Sequence, residues 1–395
     1  MSTATESFIE SHRHDDIATL ALLLRKHPEV DAEFALRQIE GWQRLQHKVP
    51  AWTLVKDLHY PPRLSLEQCS GQATAEYKAE LAGSLFPNGG TMVDLTGGLG
   101  VDFSFIAQKF SKATYVERQA ALCHLASHNL PLLGLPDAQV VQAEAENFLR
   151  EMPPADLIFL DPARRDGAGR KTILIEDCEP DVVQLKNLLL QKAQAVMLKL
   201  SPMLDLQRAI STLGCVAEAH VISVKGECKD LILVLTAESG VSTRITCSEG
   251  AHRLTFTQEE EQAALPEYTA EISQYLYEPC ASIMKAGAFK LCATRYGLKK
   301  LHPNSHLYTS ESLVPDFPGR IFKVQRCTSF AKQELRAFCS ETTKANLTVR
   351  NFPATVADLR RKLKLREGGN SYWFATTLAD GNKKIIAGEP IKHQG

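Results

Sequence analysis

Three carboxylates and a glycine-rich turn have the residue types and the spacing to bind a small organic ligand. At the first of them, Asp94, an apolar run ends and the segment Leu-Thr-Gly-Gly-Leu-Gly follows directly. Glycines let the backbone approach a ligand closely, and a glycine-rich turn between a strand and a helix is a common binding loop. The sequence therefore predicts a ligand-binding loop formed by Asp94, Thr96, Gly97, Gly98 and Gly100.

The other two carboxylates follow the next two apolar runs. Glu117 stands 23 residues after Asp94, and Glu144 follows the third run. If these runs are parallel strands, the three acids lie at the sheet edge where open α/β sheets bind their ligands. Glu117 can then accept hydrogen bonds from two ribose hydroxyls, and Glu144 can accept one from an adenine amine. Arg118 and Ala145, which follow these acids, are predicted to line the same site.

Asp94 separates the candidate ligands by charge. A carboxylate at this position repels a pyrophosphate but attracts an ammonium group. S-adenosylmethionine carries an ammonium and a sulfonium and has no phosphate. The glycine spacing also differs from the dinucleotide pattern G-x-G-x-x-G. The prediction is a site for S-adenosylmethionine, and the alternative is a glycine turn without a ligand, beside acids that are simply solvated strand ends.

The fourth apolar run ends in Asp161-Pro162-Ala163-Arg164-Arg165, which is the predicted reaction centre. Methyl transfer is an in-line displacement, so the main work of an enzyme is to align the acceptor with the donor. Asp161, expected beside the donor, can accept a hydrogen bond from the nucleophile, and Pro162 restricts the backbone that follows. Arg164 and Arg165 can hold a phosphate or a base edge, or they can pair with nearby acids.

A fifth run ends in Lys199-Leu200-Ser201-Pro202, whose turn is predicted to border the same cleft. Lys199 and Ser201 are therefore candidates for contact with the substrate. No metal site is predicted, because no two of the ten cysteines form a C-x-x-C pair.

The composition excludes several classes of protein. The 395 residues include 45 Lys+Arg and 46 Asp+Glu, and 44% are hydrophobic. These values are ordinary for a globular protein and exclude a mostly disordered chain. No apolar run approaches the roughly 18 residues that a membrane helix needs. The N-terminal segment has no signal-peptide pattern, and the scattered cysteines indicate reduced thiols, so a cytoplasmic location is expected.

The elements that must position the candidate residues alternate along the chain. From Thr91 to Leu200, five short apolar runs alternate with helical stretches, which predicts a parallel sheet covered on both faces. Two further runs, His220–Val224 and Leu231–Thr236, are too close for a parallel crossover and predict an antiparallel hairpin. The predicted fold is therefore α/β, with five parallel strands and a terminal hairpin in a seven-stranded sheet.

Changes in composition predict four parts. These are an N-terminal helical region over 1–73, the α/β domain over 74–237, a connecting hairpin with a small domain over 238–319, and a last domain over 320–395. Ser70 is predicted to cap the helix that leads into the α/β domain. The later segments predict a second hairpin over Val241–Thr257, a helix over Ala281–Tyr296 and a boundary at Phe317–Gly319.

The chain resembles the class I S-adenosylmethionine-dependent methyltransferases over roughly residues 74–237. The motifs that carry the resemblance are Asp94–Gly100, Glu117, Glu144 and Asp161–Arg164. More narrowly, nearly the whole chain is similar to the bacterial branch with a small ferredoxin-like domain and a C-terminal THUMP-like domain. The resemblance implies a Rossmann-like core, S-adenosylmethionine as cofactor and, because THUMP domains of other RNA-modifying enzymes bind tRNA, an RNA substrate.

The reaction motif differs from those of the relatives in two ways. Relatives that methylate amines usually carry a second proline and an aromatic residue where this chain has Ala163 and Arg164. Uridine carbon-methylating enzymes have a similar Asp-Pro-Ala-Arg form, but they need a nucleophilic cysteine after the next strand, where this chain has Ser201. Covalent catalysis of that type is not expected, and an amine or a ring nitrogen is the predicted acceptor.

A basic segment, defined here as Phe322–Arg366, is the predicted RNA-binding surface. It holds 11 Lys+Arg against 3 Asp+Glu, a local charge of +8 in a nearly neutral chain. Phosphate contacts supply affinity without sequence preference through counterion release. The densest part is Arg360, Arg361 and Lys362, and the alternative is a solvated charged face. Most phenylalanines of the segment are expected in the core.

These observations predict an RNA methyltransferase, with tRNA as the favoured substrate. Three alternatives remain at this stage. The first is a methyltransferase fold that binds RNA without catalysis, and the second is a methyltransferase acting on a protein or a small molecule. The third is a dinucleotide-dependent oxidoreductase, which Asp94 disfavours.

Overall fold

A computed structural model describes residues 2–164, 174–238, 240, 242–340 and 342–391. The chain forms two compact units. The first comprises Met1–Ala217 with Asp230–Val241, and the second comprises Glu218–Lys229 with Ser242–Gly395. The finer division into four parts stays a prediction. Among the described residues, no helix has both the length and the apolar character needed to cross a membrane.

Six α-helices precede the first strand. They are α1 (Thr3–His12), α2 (Ile17–Leu23), α3 (Ala32–Lys48), α4 (Pro50–Thr53), α5 (Arg63–Gln68) and α6 (Gln72–Leu85). Trp52 of α4 is buried in one cluster with Leu99 and Val101, which flank Gly100 of the loop. Helices α3, α4, α5 and α6 contribute residues to this cluster, so these four helices pack against the loop that the sequence predicts to bind a ligand.

The predicted cap at Ser70 is wrong. Helix α6 begins after Gly71, which has no capping side chain. The Ser70 hydroxyl instead donates a hydrogen bond to Asp102 at 2.6 Å. Ser70 stands one residue before the N-cap position, and its oxygen accepts a hydrogen bond from the Lys78 ammonium at 2.9 Å rather than from a helix N–H.

The central sheet has the Rossmann-like architecture that the resemblance implies. Its first seven strands are β1 (Thr91–Asp94), β2 (Lys112–Glu117), β3 (Gln139–Gln142), β4 (Ala155–Leu160), β5 (Ala193–Leu200), β6 (Val216–Val224) and β7 (Glu227–Leu235). They are arranged as β3-β2-β1-β4-β5-β7-β6, with β7 antiparallel to β5 and the first five strands parallel. This arrangement confirms the α/β class and the terminal hairpin.

Helices alternate with these strands and cover the sheet. They are α7 (Val101–Ile106), α8 (Ala120–Leu132), α9 (Ala145–Glu151), α10 (Val182–Lys192) and α11 (Leu206–Leu213). Leu157, Ile158, Phe159 and Leu160 of β4 are consecutive and all buried, as expected for a parallel strand covered on both faces. The order β3-β2-β1-β4 places the carboxyl ends of β1, β2 and β4 at one edge, where Asp94, Glu117 and Asp161 lie.

The sheet has nine strands rather than the predicted seven. The second hairpin forms as β8 (Arg244–Glu249) and β9 (His252–Thr257), and β8 pairs in parallel with β6 from Glu218 to Ser223. Strand β6 would otherwise be an edge strand with unpaired backbone groups, which proteins commonly cover. The predicted hairpin therefore exists but extends the central sheet.

A second, seven-stranded sheet lies in the second unit. Its strands are β10 (Tyr275–Pro279), β11 (Lys299–Lys300), β12 (Tyr308–Ser310), β13 (Gly319–Ser329), β14 (Asn346–Arg350), β15 (Tyr372–Thr377) and β16 (Lys383–Pro390), in the order β11-β12-β10-β13-β16-β15-β14. Because β10 and β13 pair directly, strands on both sides of the predicted boundary at Phe317–Gly319 share this sheet.

The helices of the second unit are short. They are α12 (Gln258–Ala263), α13 (Ala281–Ala286), α14 (Phe289–Arg295), α15 (Lys332–Cys339) and α16 (Val356–Leu363). The single helix predicted over Ala281–Tyr296 is wrong, because Gly287 has a φ of 83° and ends α13 in a left-handed conformation. Helices α15 and α16 pack their leucines into one core with Trp373.

Candidate functional site

The glycine loop after β1 is built against a tyrosine. A side chain at Gly97 would place its Cβ 2.1 Å from the Tyr115 ring, so only glycine fits there. The Tyr115 hydroxyl donates to the Gly98 carbonyl oxygen at 2.6 Å. Gly98 and Gly100 have φ values of 55° and 84°, which glycine adopts without strain. The loop therefore packs against Tyr115, and Gly98 and Gly100 give it its left-handed turns.

Thr96 connects the ends of β1 and β4. Its backbone N–H donates to Asp94 Oδ1 at 2.9 Å, and its hydroxyl accepts a hydrogen bond from the Asp161 N–H at 2.7 Å. One threonine therefore ties the predicted donor-binding acid to the predicted reaction centre. The backbone positions of Asp94 and Asp161 are thus coupled through a side chain within the loop.

Glu117 at the end of β2 braces the same loop. Its Oε2 accepts from the Gly98 N–H at 3.0 Å, and its Oε1 accepts from the Gln119 N–H at 2.9 Å. Each carboxylate oxygen has two lone pairs, so both oxygens can still accept a hydrogen bond from a ligand hydroxyl. The geometry allows the predicted ribose contact while giving Glu117 a second, structural role.

The sheet edge is strongly acidic. Burial, together with the nearby charges of Asp102, Asp161 and Glu117, raises the pKa of Asp94 to about 8, although the hydrogen bond from the Thr96 N–H lowers it. A buried carboxyl among like charges is stabilised in its ionised form by an added cation. This edge therefore favours a positively charged ligand over a phosphate, as the sequence predicts.

Lys199 is buried rather than open to a substrate. Its ammonium lies 2.6 Å from Asp161 Oδ2 and 3.3 Å from Asp102 Oδ2. Asp161 keeps 40% of its side chain exposed, whereas Lys199 keeps 10%. Burial disfavours the charge of Lys199, but Asp161 and Asp102 hold its pKa well above the usual value. Lys199 is therefore a buried cation that is held next to the Asp161 carboxylate.

Two more charged residues extend this network into the core. Lys78 of α6 is fully buried, and its ammonium lies 2.8 Å from Asp102 Oδ1 and 2.8 Å from Asp230 Oδ2. Burial opposes the charge of Asp102, but Lys78 and Lys199 lower its pKa to about 2. The network, defined as Lys78, Asp102, Lys199, Asp161 and Asp230, therefore alternates in charge from the core to the exposed Asp161.

The remaining predicted residues of this edge have varied surroundings. Arg118 is exposed and pairs with Glu179 at 3.0 Å. Glu144 is exposed directly before α9, which begins at Ala145. Ser201 accepts a hydrogen bond from the Met203 N–H at 3.3 Å. Pro162 follows Asp161 after the end of β4, and Arg164 lies in a two-residue strand, whereas Arg165 lies outside the described residues.

The predicted RNA-binding cluster on α16 is only partly open. Arg360 is mostly buried and pairs with Glu367 at 3.5 Å, whereas Arg361 is 80% exposed. The Lys362 ammonium lies 4.1 Å from the centre of the Phe330 ring. The phenylalanines of the basic segment are mainly core residues, since Phe322 and Phe338 are buried. Arg361 and Lys362 are the members that can reach a partner.

The donor set at the sheet edge suits an organic cation. Among the described residues, no group of three or more His, Cys, Asp or Glu side chains could hold a metal. Asp94 and Glu117 supply carboxylate acceptors at the ends of adjacent strands. S-adenosylmethionine, with a cationic methionine part and a ribose, fits these residues.

The second unit matches two family models. Residues 275–318 match a ferredoxin-like domain, and residues 319–390 match a THUMP domain-like family. The whole chain is similar to the crystal structure of a candidate methyltransferase from Porphyromonas gingivalis W83. The two proteins are 34% identical, the match covers 98% of each chain, and the TM-score is 0.86. The chain belongs to this methyltransferase family. Its second unit carries a ferredoxin-like domain and a THUMP-like domain.

More distant structures match the chain in part. One is a candidate class I S-adenosylmethionine-dependent methyltransferase from Listeria monocytogenes, at 10% identity, with 62% of this chain and 92% of that chain covered and a TM-score of 0.40. Another is a candidate RNA methyltransferase from Pyrococcus horikoshii, at 18% identity, with 49% and 96% covered and a TM-score of 0.36. No curated protein matches the chain.

The methyltransferase core contains important residues that sequence reasoning missed. Tyr115 carried a weak signal, because it lies two residues before Glu117 on β2 and therefore on the same face of the strand. Asp102 stands directly after the glycine motif, where its role was not recognised. Lys78 and Asp230 carried no signal, since they are 152 residues apart and meet only in the folded chain.

Replacing Gly97 with alanine should disturb the loop. The added Cβ would collide with the Tyr115 ring at 2.1 Å, so either the loop or the tyrosine must move. We expect the free energy of unfolding to fall by roughly 1–3 kcal/mol, as measured by chemical denaturation. Gly71→Ala is the control, because its Cβ would make ordinary contact 3.6 Å from the Lys48 carbonyl oxygen. Equal stability of the two variants would contradict the close packing at Gly97.

Proposed function

We propose that the protein is an S-adenosylmethionine-dependent methyltransferase that acts on RNA, with tRNA as the favoured substrate. The observation that carries the proposal is the acidic sheet edge, where Thr96 couples buried Asp94 to partly exposed Asp161. Such an edge suits a cationic donor on one side and a polar acceptor on the other. The acceptor atom is an amine or a ring nitrogen.

The donor would be held by residues of three strand ends. Asp94 would pair with its ammonium group, Glu117 would accept hydrogen bonds from the ribose hydroxyls, and Glu144 would accept one from the adenine amine. The backbone of the loop between Thr96 and Gly100 would contact the methionine part. Arg118 and Ala145 would border the adenosine, although Arg118 is also engaged by Glu179.

S-adenosylmethionine supplies an electrophilic methyl group when it is bound. Asp161, at 40% exposure, is the carboxylate that can meet an acceptor. It would accept a hydrogen bond from the acceptor N–H and so orient the nitrogen lone pair toward the methyl group. Pro162 restricts the backbone after this carboxylate. Arg164, Arg165 and Ser201 would contact the nucleotide that carries the acceptor.

We propose a positioning role for Lys199 rather than direct contact with the substrate. Its ammonium is fixed between Asp161 and Asp102, so it can hold the Asp161 carboxylate in one orientation. Its positive charge also favours the ionised form of Asp161, which burial disfavours. An ionised Asp161 can only accept hydrogen bonds, as orientation of an acceptor N–H requires.

The second unit supports an RNA substrate. It carries the THUMP domain-like match and the basic segment, whose exposed members include Arg361 and Lys362. A local excess of positive charge in a nearly neutral chain is the electrostatic footprint of phosphate binding. The missing aromatic residue after Pro162 leaves a second candidate function, an RNA-binding protein without catalysis.

Binding of the donor should release a proton. Because the pKa of Asp94 is raised to about 8, this acid is mostly neutral at pH 7 in the free protein. A cationic ligand favours the ionised form, so the affinity should rise with pH up to about 8 and then level off. Calorimetry in buffers of different ionisation enthalpy should detect about one released proton at pH 7. In Asp94→Asn the release should vanish, and an unchanged release would contradict this assignment.

Replacing Arg360, Arg361 and Lys362 with glutamine should weaken RNA binding. Each phosphate contact that is lost should lower the slope of log affinity against log salt by about 1. Most of the effect is expected from Arg361 and Lys362, because Arg360 is largely buried. Fluorescence anisotropy with unfractionated tRNA at several salt concentrations measures the slope. A slope equal to that of the parent protein would exclude this cluster from the RNA surface.

Transfer of a tritiated methyl group from S-adenosylmethionine tests the proposal. We expect label in total cellular RNA, and we expect RNase treatment before precipitation to remove it. Label that survives RNase but is lost on protease treatment would identify a protein methyltransferase. RNA binding without any transfer would identify the noncatalytic RNA-binding protein.

A further inference from the structure

A pocket in the second unit contains two arginine side chains that one buried carboxylate holds together. The pocket has a volume of about 670 Å³. Glu278 of β10, whose side chain is 4% exposed, pairs with Arg320 of β13 and with Arg350 at the end of β14. All of its lining residues belong to the second unit.

The Glu278 carboxylate binds one guanidinium group with each of its two oxygens. Its Oε2 accepts from Arg320 Nε at 2.9 Å and from Arg320 Nη2, and its Oε1 accepts from Arg350 Nε and Nη2 at 3.3 and 2.9 Å. An arginine carries five N–H donors, so these bonds use two donors of each guanidinium group. The other donors of both groups belong to side chains that are 52% and 32% exposed.

The position of Arg320 is fixed from a second direction. Its guanidinium carbon lies 5.4 Å from the centre of the Phe322 ring and 5.5 Å from that of Tyr372. Stacking on aromatic rings and pairing with Glu278 restrict the rotamers of a normally flexible side chain. A fixed guanidinium group loses less entropy when it binds an anion.

The charges of the pocket favour an anion. Lys225, Arg320 and Arg350 line it together with Glu278 and Glu249, an excess of one positive charge. Both acids already have protein partners, because Glu249 accepts hydrogen bonds from Ser223 and from the Gly226 N–H, both at 2.6 Å. Arginine donors in a fixed planar arrangement match the geometry of phosphate oxygens.

We infer that this pocket binds a phosphate group of the RNA substrate, with Arg320 and Arg350 as its ligands and Glu278 as the residue that positions them. The inference rests on the proposed RNA substrate. It adds a specific phosphate site to the diffuse charge of the basic segment. The volume is sufficient for a nucleotide, since pockets of 300–1,000 Å³ are typical for small ligands.

The test measures how a fluorescein-labelled, twelve-nucleotide single-stranded RNA binds to the full chain. Arg320→Gln should weaken binding about tenfold and lower the salt slope by about 1. Arg320→Lys should keep the slope but recover only part of the affinity, because a lysine cannot form the planar contact. Arg350 still pairs with Glu278 in both variants, so both should fold, and a thermal melt checks this.

Arg336→Gln is the matched control, because it removes an exposed arginine of α15 that does not line the pocket. Equal losses for Arg320→Gln and Arg336→Gln would overturn the inference, since the effect would then be general charge. Inorganic phosphate should compete with RNA in the parent protein and less in Arg320→Gln. If phosphate binding depends on Arg320 but RNA binding does not, the pocket takes a free phosphate compound and the RNA assignment is overturned.

The methylation assay separates this inference from the proposed activity. RNA binding that depends on Arg320 without any methyl transfer would support the pocket and refute the enzyme. Methyl transfer to RNA that Arg320→Gln leaves unchanged, together with unchanged RNA binding, would support the enzyme and refute the pocket.

Discussion

Asp94→Ala should abolish measurable binding of S-adenosylmethionine. The substitution removes the carboxylate that would pair with the ammonium group and also the acceptor of the Thr96 N–H hydrogen bond. Hydrogen bonds to charged groups contribute about 1.5–3 kcal/mol each, and every 1.4 kcal/mol is a tenfold change in affinity. A loss of one hundredfold or more is therefore expected, measured by calorimetric titration.

Asp94→Asn is the matched variant for this experiment. Its side-chain oxygen can still accept from the Thr96 N–H, so the loop should keep its shape while the negative charge is lost. We expect a loss of roughly ten- to one-hundredfold in affinity, because only the charge term is removed. An affinity close to that of the parent protein in both variants would show that the donor does not bind at Asp94.

Lys199→Met should reduce methyl transfer about one hundredfold, with a smaller effect on donor binding. The variant leaves Asp161 without the ammonium at 2.6 Å, so the carboxylate loses its orientation. Burial already raises the pKa of Asp161, and Lys199 opposes that rise. The pKa should therefore increase in the variant, and the remaining activity should rise toward alkaline pH. Single-turnover transfer to total RNA, measured from pH 6 to 9, tests both expectations.

Lys192→Met is the control for this variant. Lys192 directly precedes β5, whereas Lys199 lies near the end of that strand, and the Lys192 ammonium donates to the Met152 carbonyl oxygen rather than to the charged network. We expect normal turnover and an unshifted pH profile for the control. A Lys199→Met protein that folds and turns over at the parent rate would refute the positioning role.

The placement of the candidate site residues could be predicted from the sequence at the strand ends. Asp94, Glu117 and Asp161 each follow an apolar run, and the parallel arrangement of the runs brings them to one edge whatever the details of packing. Arg164 and Arg165 could not be assessed in the same way, because Arg165 lies outside the described residues. Their predicted contacts with the substrate stay predictions.

The charged network shows what the sequence could not reveal. Lys199 lies at the end of a strand, a position typical of substrate contact, yet Asp102 and Asp161 enclose its ammonium. That arrangement depends on α6 bringing Lys78 to Asp102, and on β7 bringing Asp230 to Lys78. Contacts between elements so distant in sequence are set by the packing of the whole core, which no local pattern encodes.

Local conformations also override patterns in two places. The apolar spacing over Ala281–Tyr296 is helical throughout, but Gly287 adopts a left-handed conformation that separates two helices. The sequence predicts the second hairpin apart from the central sheet, yet its strand β8 pairs with β6 and extends that sheet. The predicted fold class is nevertheless correct, because the alternation of strands and helices in the core specifies it.

A crystal structure of the protein with S-adenosylmethionine tests the central claim most directly. The account predicts the donor amine within hydrogen-bond distance of the Asp94 carboxylate, the ribose hydroxyls at Glu117, and the methyl group facing Asp161. A donor bound away from this sheet edge, or a pyrophosphate lying across the glycine loop, would contradict it.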